Sequence, residues 1–211
     1  MADGVLLVVS GKELKNFHDH LKYDKSYKAE ILFGFETDSY DILGIPEIGN
    51  FNLNRNEVIK ELDSLQGSFR FKLPPFSGYK IKGKPLFKWA LDNKLNEIEI
   101  PEKEAKIYNL NVEKIEKVSI KKIELYILSK IKNVTGDFRQ EKIIKRWKKI
   151  FSNQSTELLI AEINIDCESG FYVRSLAHEI GKKLSSGALL FSLTRARVGR
   201  WNIEESIWPY N

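Results

Sequence analysis

A chain of 211 residues with 42% hydrophobic content can bury a core, as one large domain or as one domain with an appendage, and is too apolar to be disordered. Its single cysteine, Cys167, excludes an internal disulfide and a cysteine-rich metal site and fits a reducing compartment. The net charge of +5 is mild, but residues 103–149 hold 14 Lys/Arg against 6 Asp/Glu. The cationic surplus is therefore local, as on a surface that tracks phosphates or on a solvated lysine-rich helix.

The chain opens on an apolar run, Val5 to Val9, that reads as a core strand. With Asp3 ahead of it and only five apolar residues, it lacks the basic leader and longer apolar stretch of a secretory signal. No segment approaches the ~18 apolar residues of a membrane span, so a soluble, cytoplasmic protein with no membrane partner is expected. Lys12 to Leu21 reads as a helix with Leu14, Phe17 and Leu21 on one side. His18 and His20 stand two apart on it and point in different directions, so no metal site is expected there.

Tyr27, Ala29, Ile31, Phe33 and Phe35 then alternate with Lys28, Glu30 and Gly34 as in a half-buried strand. Asn54 with Glu57 forms a capping box for a helix carrying Val58, Leu62 and Leu65, closed by Gly67. Asp137 with Gln140 predicts a second cap, for a helix with Ile143, Trp147, Ile150 and Phe151 on one side and Lys142, Lys145, Arg146, Lys148 and Lys149 elsewhere. A strand follows in which Leu159, Ala161, Ile163, Ile165 and Cys167 alternate with polar residues, then a helix through Leu176, Ile180 and Leu184. The last strand is Leu189 to Val198, on which the period of two puts Leu193, Arg195 and Arg197 on one face, with two guanidiniums side by side. No repeat or Pro/Gly linker divides the chain, and strands mixed with helices at hairpin-length gaps predict an α+β sheet covered by helices rather than a doubly wound one.

Three stretches are over-specified for packing. Gly34 to Gly44, GFETDSYDILG, sets Thr37, Asp38, Ser39 and Asp41 between glycines, as in a polar loop with side-chain-to-backbone bonds. Pro74 to Gly83, PPFSGYKIKG, joins a rigid Pro-Pro to Phe76, Lys80 and Lys82. Cys167 to Ser175, CESGFYVRS, places Tyr172 and Arg174 just past a strand end, where sites tend to sit. Each alone is weak.

In order, and followed by Leu193 to Gly199 (LTRARVG), they are similar to the motifs of the TruB-type tRNA pseudouridine-55 synthases: G-x-x-T-D-T-x-D-x-x-G, P-P-x-Y-S-A-x-K-x-x-G, C-S-x-G-T-Y-I-R-S-L-x-x-D-L-G and L-R-R-T-x-V-G. The resemblance covers nearly the whole chain. It implies a mixed, mainly antiparallel sheet covered by helices, the pseudouridine synthase-like fold, here truncated at the N-terminus. The implied activity is isomerisation of a T-loop uridine at position 55 of tRNA, with the T-arm stem-loop as partner and no cofactor or metal. The alternative reading is a non-catalytic RNA-binding relative or RNA chaperone.

The family's catalytic motif, G-T-L-D-P-x-A-x-G-V-L-L-V, resembles the start of the chain only in its tail, with Ala2 at its alanine and Gly4 at its last glycine. Its aspartate would fall five residues before Gly4, ahead of Met1, and Asp3 is displaced by four positions from it. The chain alone is thus expected to be inactive and to accept the missing N-terminal segment in trans. The resemblance makes Arg174 the arginine that orients the catalytic Asp and puts Tyr172 in the base pocket. Phe76 falls at a tyrosine position, keeping the stacking surface and losing the hydroxyl. Lys80 and Lys82, Arg195 and Arg197, and Lys145, Arg146 and Lys149 are the expected RNA contacts. Residues 1–205 would be the catalytic domain with a basic helical insertion at about 119–155, residues 206–211 a tail, and the family's C-terminal RNA-binding domain absent.

Overall fold

The computed structural model describes residues 2–154 and 157–207. In chain order its strands are β1 (Ala2–Gly4), β2 (Lys25–Phe33), β3 (Phe35–Thr37), β4 (Pro46–Ile48), β5 (Gly67–Lys72), β6 (Lys80–Ile81), β7 (Lys84–Pro85), β8 (Glu102–Ser119), β9 (Glu157–Cys167), β10 (Ala188–Val198) and β11 (Trp201–Asn202). The helices are α1 (Phe17–Leu21), α2 (Arg55–Asp63), α3 (Leu86–Leu91), α4 (Ile120–Lys132), α5 (Gln140–Phe151) and α6 (Val173–Lys183). The central sheet runs β1-β10-β2-β9-β8-β5, with β11 beside β10, and every pairing in it is antiparallel except β1 with β10. This is the mixed, mainly antiparallel sheet with helices that the sequence predicts. Residues 155 and 208–211, the ends of the expected insertion and tail, lie outside the described residues.

The central strands β2 and β9 follow the two-residue period, and both faces of the sheet are buried. On one face Ala29, Ile31, Phe33, Ala161, Ile163 and Ile165 pack beneath Val58 and Leu62 of α2 and Leu176, Ala177 and Ile180 of α6. On the other, Leu32, Leu158, Ile160, Leu189 and Phe191 meet Ile123, Ile127 and Ile131 of α4 and Ile143, Trp147 and Ile150 of α5. The second buried face departs from the half-buried strands that the alternation predicts, because Leu32, Leu158 and Ile160 fill the intervening positions beneath α4 and α5. The helical pair within residues 119–155 therefore contributes a core of its own.

Four local expectations are corrected. The first strand is not Val5 to Val9 but Ala2–Gly4, which pairs in parallel with Leu193, Thr194 and Arg195. It cannot continue, since β11 occupies the same edge of β10 from Arg197 onward. Only Val5 of the apolar run is buried, while Leu6 and Val8 are 75% and 79% exposed. Gly4 lies at φ +101, and a Cβ there would come 2.3 Å from the carbonyl oxygen of Arg195, so glycine is required at this contact. The helix from Lys12 becomes a 3₁₀ segment over Gly11–Asn16 and then α1, and it buries nothing.

The caps also differ. Asn54 caps α2 by accepting from the Asn56 N–H at 2.8 Å, without a return bond from Glu57. At α5 the capping position is held by Arg139 in the left-handed region, φ 64, while Asp137 only accepts from the Arg139 N–H at 3.3 Å and Gln140 from the Phe138 N–H at 2.8 Å. Finally, β10 bulges between Arg195 and Arg197: Arg195 faces Tyr27 and Arg197 faces Ser26, the next residue of β2. One extra residue flips the side chain, so the two guanidiniums lie on opposite faces of the sheet.

Trp147 anchors the helical pair. It is fully buried, stacks on Phe151 with ring centroids 5.1 Å apart, meets Phe35 edge-on, and donates from Nε1 to the Ile42 carbonyl at 3.3 Å. Trp147→Ala is expected to lower unfolding stability by ~3–5 kcal/mol in urea titrations, with Trp147→Phe less costly; equal, small effects would place the indole outside the core.

Candidate active site

The first and second motifs meet through one side chain of the third. Arg174, in the first turn of α6, donates from Nη1 to the Ser39 carbonyl at 3.1 Å and to Asp41 Oδ2 at 3.2 Å, and from Nη2 to the Phe76 carbonyl at 3.2 Å. Sequence reasoning leaves Arg174 without a carboxylate partner in the chain. The structure supplies one, Asp41, which the spacing of the loop did not single out. A guanidinium carries five N–H donors, and three bonds leave Nε–H and one Nη2–H without a partner among the described residues. Arg174 and Asp41 line a cavity of about 290 Å³ together with Ala2, Leu43, Leu190 and Leu193.

The loop at 37–45 is a knot of its own polar groups. Thr37 Oγ1 donates to the Asp41 carbonyl at 2.7 Å, Ser39 Oγ to Asp41 Oδ1 at 2.6 Å, and the Leu43 and Ile45 N–H groups donate to Asp41 Oδ1 and Asp38 Oδ1 at 3.0 and 2.8 Å. Gly44 closes it, since a Cβ would stand 2.5–2.7 Å from Ser39, Thr37 and Asp38 side-chain atoms. The Leu190 N–H donates to the Tyr40 carbonyl at 3.0 Å and moors the loop to β10. Ser175 Oγ donates to the Lys72 carbonyl at 2.7 Å, fixing α6 to the end of β5 where the second motif begins.

Arg139, from the turn between α4 and α5, reaches the same loop. It pairs with Asp38 through Nη1 at 2.7 Å and Nη2 at 3.3 Å, and its guanidinium lies 4.3 Å from the centroid of the Phe76 ring. Phe76, Asp38, Arg139, Tyr40 and His178 border a larger cleft of about 640 Å³. Tyr40 and His178 stack nearly parallel, 3.7 Å apart. Burial, followed by the charge of Lys182, holds the His178 imidazole down at about 4, and burial, with Glu179 and Glu36, pushes the Tyr40 phenol up to about 12, so both rings are neutral.

The expected site residues thus separate. The Phe76 ring and Arg174 face different cavities, and Tyr172 caps α6 half-buried beside Phe71, 6.3 Å between centroids. Tyr27, which sequence reasoning passed over as one more strand residue, packs with Tyr172 and Leu193 on the same core cluster and lies opposite Arg195. Its signal was a phenol at a position of the strand's apolar face. Burial pushes that phenol up, while the charge of Arg195 pulls it back.

Of the expected RNA contacts, Lys80 and Lys82 lie exposed on the β6–β7 hairpin, and Lys145, Arg146 and Lys149 lie exposed on α5. Arg146 Nε also donates to the Pro46 carbonyl at 3.1 Å. Arg195 donates to the Val5 carbonyl at 2.7 Å, and Arg197 to Ser26 Oγ, the Gly199 carbonyl and Asp166 at 2.9, 2.7 and 3.3 Å, so both guanidiniums are tied into the fold. Burial pushes the Cys167 thiol up to about 12, which makes it a core group. Among the described residues no three His, Cys, Asp or Glu side chains cluster as metal ligands, and no helix is long and apolar enough to cross a membrane.

This arrangement of ordered motifs on an antiparallel sheet has relatives. A profile described as the TruB family pseudouridylate synthase N-terminal domain matches residues 1–135. The chain belongs to the TruB family. The tRNA pseudouridine synthase B of Malacoplasma penetrans (strain HF-2) is 29% identical over 210 residues, covering 98% of this chain and 72% of that protein. The enzymes of that name from Bordetella avium (strain 197N) and Clostridium tetani (strain Massachusetts / E88) are 31% and 28% identical, each over 98% of this chain, and are covered over 68% and 57% of their own lengths. This TruB-family chain therefore spans between about half and three quarters of the relatives it matches. A chain in the crystal structure of a Cbf5-Nop10-Gar1 complex has the same fold, with a TM-score of 0.52 over 95% of this chain and 38% of that one at 18% identity.

The neutral His178 makes a pH signature. Its folded value lies below the ordinary 6.5, so protons bind the unfolded chain more readily, and its contribution is full above pH 6.5 and is lost as pH falls toward about 4. In thermal melts across that window the wild type is expected to lose more stability than His178→Phe, which keeps a ring on Tyr40. Parallel curves would show that His178 is protonated freely in the folded chain.

Proposed function

We propose that this chain carries the greater part of the catalytic domain of a cytoplasmic tRNA pseudouridine synthase acting on a T-loop uridine, position 55, without cofactor. Residues 1–205 are that domain, with the helical pair at about 119–155 an insertion in it. The observation that carries the reading is Arg174, which lines the cavity beside Ala2 and Asp41 and keeps two donors without a partner among the described residues. A guanidinium held by three acceptors is a fixed fork, ready to orient a further carboxylate by charge-assisted hydrogen bonds.

Isomerisation breaks the N-glycosidic bond of a uridine, turns the base and rejoins it through carbon, so the base must first leave its stack. A carboxylate suits the work because it attacks the sugar and leaves again, or removes a neighbouring proton. In the family motif that carboxylate stands five residues before the position of Gly4. Asp41 does not replace it: it is buried, with both oxygens engaged by Ser39, Leu43 and Arg174, and serves to brace the arginine. Tyr172, Tyr27 and Leu193 supply half-buried walls for the turned base. Phe76 takes an RNA base on the neighbouring cleft, and the exposed lysines of α5 and of the β6–β7 hairpin take phosphates of the T-arm.

The test compares pseudouridine formation in a T-arm stem-loop by the chain as it stands, by the chain extended with G-T-L-D-P ahead of Met1, and by the extended Arg174→Lys variant. Product is expected from the extended protein only, reduced about a hundredfold by Arg174→Lys, which keeps the charge and loses the fork. Product from the unextended chain would contradict the placement of the carboxylate. An extended protein that binds the stem-loop without turnover would favour the non-catalytic RNA-binding relative.

A further inference from the structure

β1 is three residues long and exposed throughout, so burial does not set its register on β10. The contacts that do set it come from one residue of β10. The Val5 N–H donates to the Arg195 carbonyl at 2.9 Å, and Arg195 Nε donates back to the Val5 carbonyl at 2.7 Å. Both backbone groups of Val5 are thus held by Arg195, and Gly4 lies so close to the same carbonyl that no side chain fits there. Past Val5 nothing continues the ladder, since β11 takes that edge of β10 and Leu6 and Val8 are exposed. Unlike Arg70, Arg139, Arg174 and Arg197, Arg195 has no carboxylate partner among the described residues. Its half-buried charge is left to act on Tyr27, directly opposite on β2.

We propose that Arg195 is a positioning residue for the reaction, which fixes the register of the N-terminal segment on β10 and thereby the place of the nucleophilic carboxylate between Arg174 and Tyr27. This replaces the phosphate contact that the sequence predicts for Arg195. The role rests on the function proposed above, in which the carboxylate stands five residues before Gly4 and so three before Ala2. Three residues span at most ~11 Å. That keeps the carboxylate within reach of the cavity that Ala2 lines with Arg174. A slip of one residue along β10 would carry the segment ~3.3 Å and turn its side chains to the opposite face. Displacements of ~1 Å at a reacting group cost about a hundredfold in rate, so the clamp on Val5 is felt in turnover rather than in RNA affinity.

The clamp is tested on the chain as it stands, with no need of turnover. In Arg195→Met, which keeps the length of the stem and loses its donors, the Val5 amide is expected to exchange with solvent about tenfold faster by NMR. Affinity for a T-arm stem-loop and its salt slope are expected to stay as in the wild type, whereas a phosphate contact would flatten the slope by ~1. In the extended protein the same change is expected to lower kcat about a hundredfold with KM unchanged, and Arg195→Lys, which keeps a charged donor, to recover part of the loss. Unchanged Val5 exchange, a flattened salt slope, or a raised KM at full kcat would overturn the positioning role. If Val5 responds as expected while the extended wild type makes no product, the clamp stands and the function proposed above fails.

Discussion

One guanidinium holds the functional end of this molecule together. The loops at 37–45 and 74–79 are irregular backbone, with few ladder bonds to define them, and Arg174 gathers both by bonding Ser39 and Asp41 in one and Phe76 in the other. Asp41 is buried, so its charge is tolerable only with the arginine and the Ser39 and Leu43 donors around it, and removing one member of such a group leaves an uncompensated charge. The position of the Phe76 backbone in turn sets its ring, on which Arg139 rests, and Arg139 returns to Asp38 in the first loop.

This chain of contacts explains why the basic helical pair belongs to the site rather than to its periphery. The pair is bound to the sheet by its own buried cluster around Trp147, and its connecting turn delivers Arg139 in a left-handed conformation that few side chains adopt without compensation. The compensation is visible as two hydrogen bonds to Asp38 and the contact with Phe76. The cationic surplus of residues 103–149 is consequently divided. Part lies on the exposed face of α5, part alternates with glutamates along β8, as in the Lys114–Glu116 pair, and Arg139 is spent inside.

Much of the sheet was legible in the sequence because period-two alternation at Ala29 to Phe33 and at Ala161 to Cys167 reflects burial directly. The family was legible from four ordered motifs, since polar knots, Pro-Pro turns and an arginine past a strand end leave fixed residue types. What escaped has specific causes. β8, 18 residues long, carries two register shifts that break its alternation, and its outward Lys and Glu resemble a solvated helix. The bulge before Arg197 depends on strand pairing, which local spacing does not encode. The places of Asp41, His178 and Tyr27 are not legible locally because they depend on partners distant in sequence, at Arg174, Tyr40 and Arg195.

The most direct measurement of this account is the coupling between Arg174 and Asp41 in a double-mutant cycle, Arg174→Lys and Asp41→Asn, followed by urea unfolding of the full chain. If the guanidinium and the buried carboxylate act as one unit, each single change removes most of what the pair contributes, and the double variant is expected to be more stable than the sum of the two by ~1–3 kcal/mol. Losses that add to within ~0.3–0.5 kcal/mol would contradict it, and would mean that the two motif loops are held by their own internal bonds rather than by Arg174.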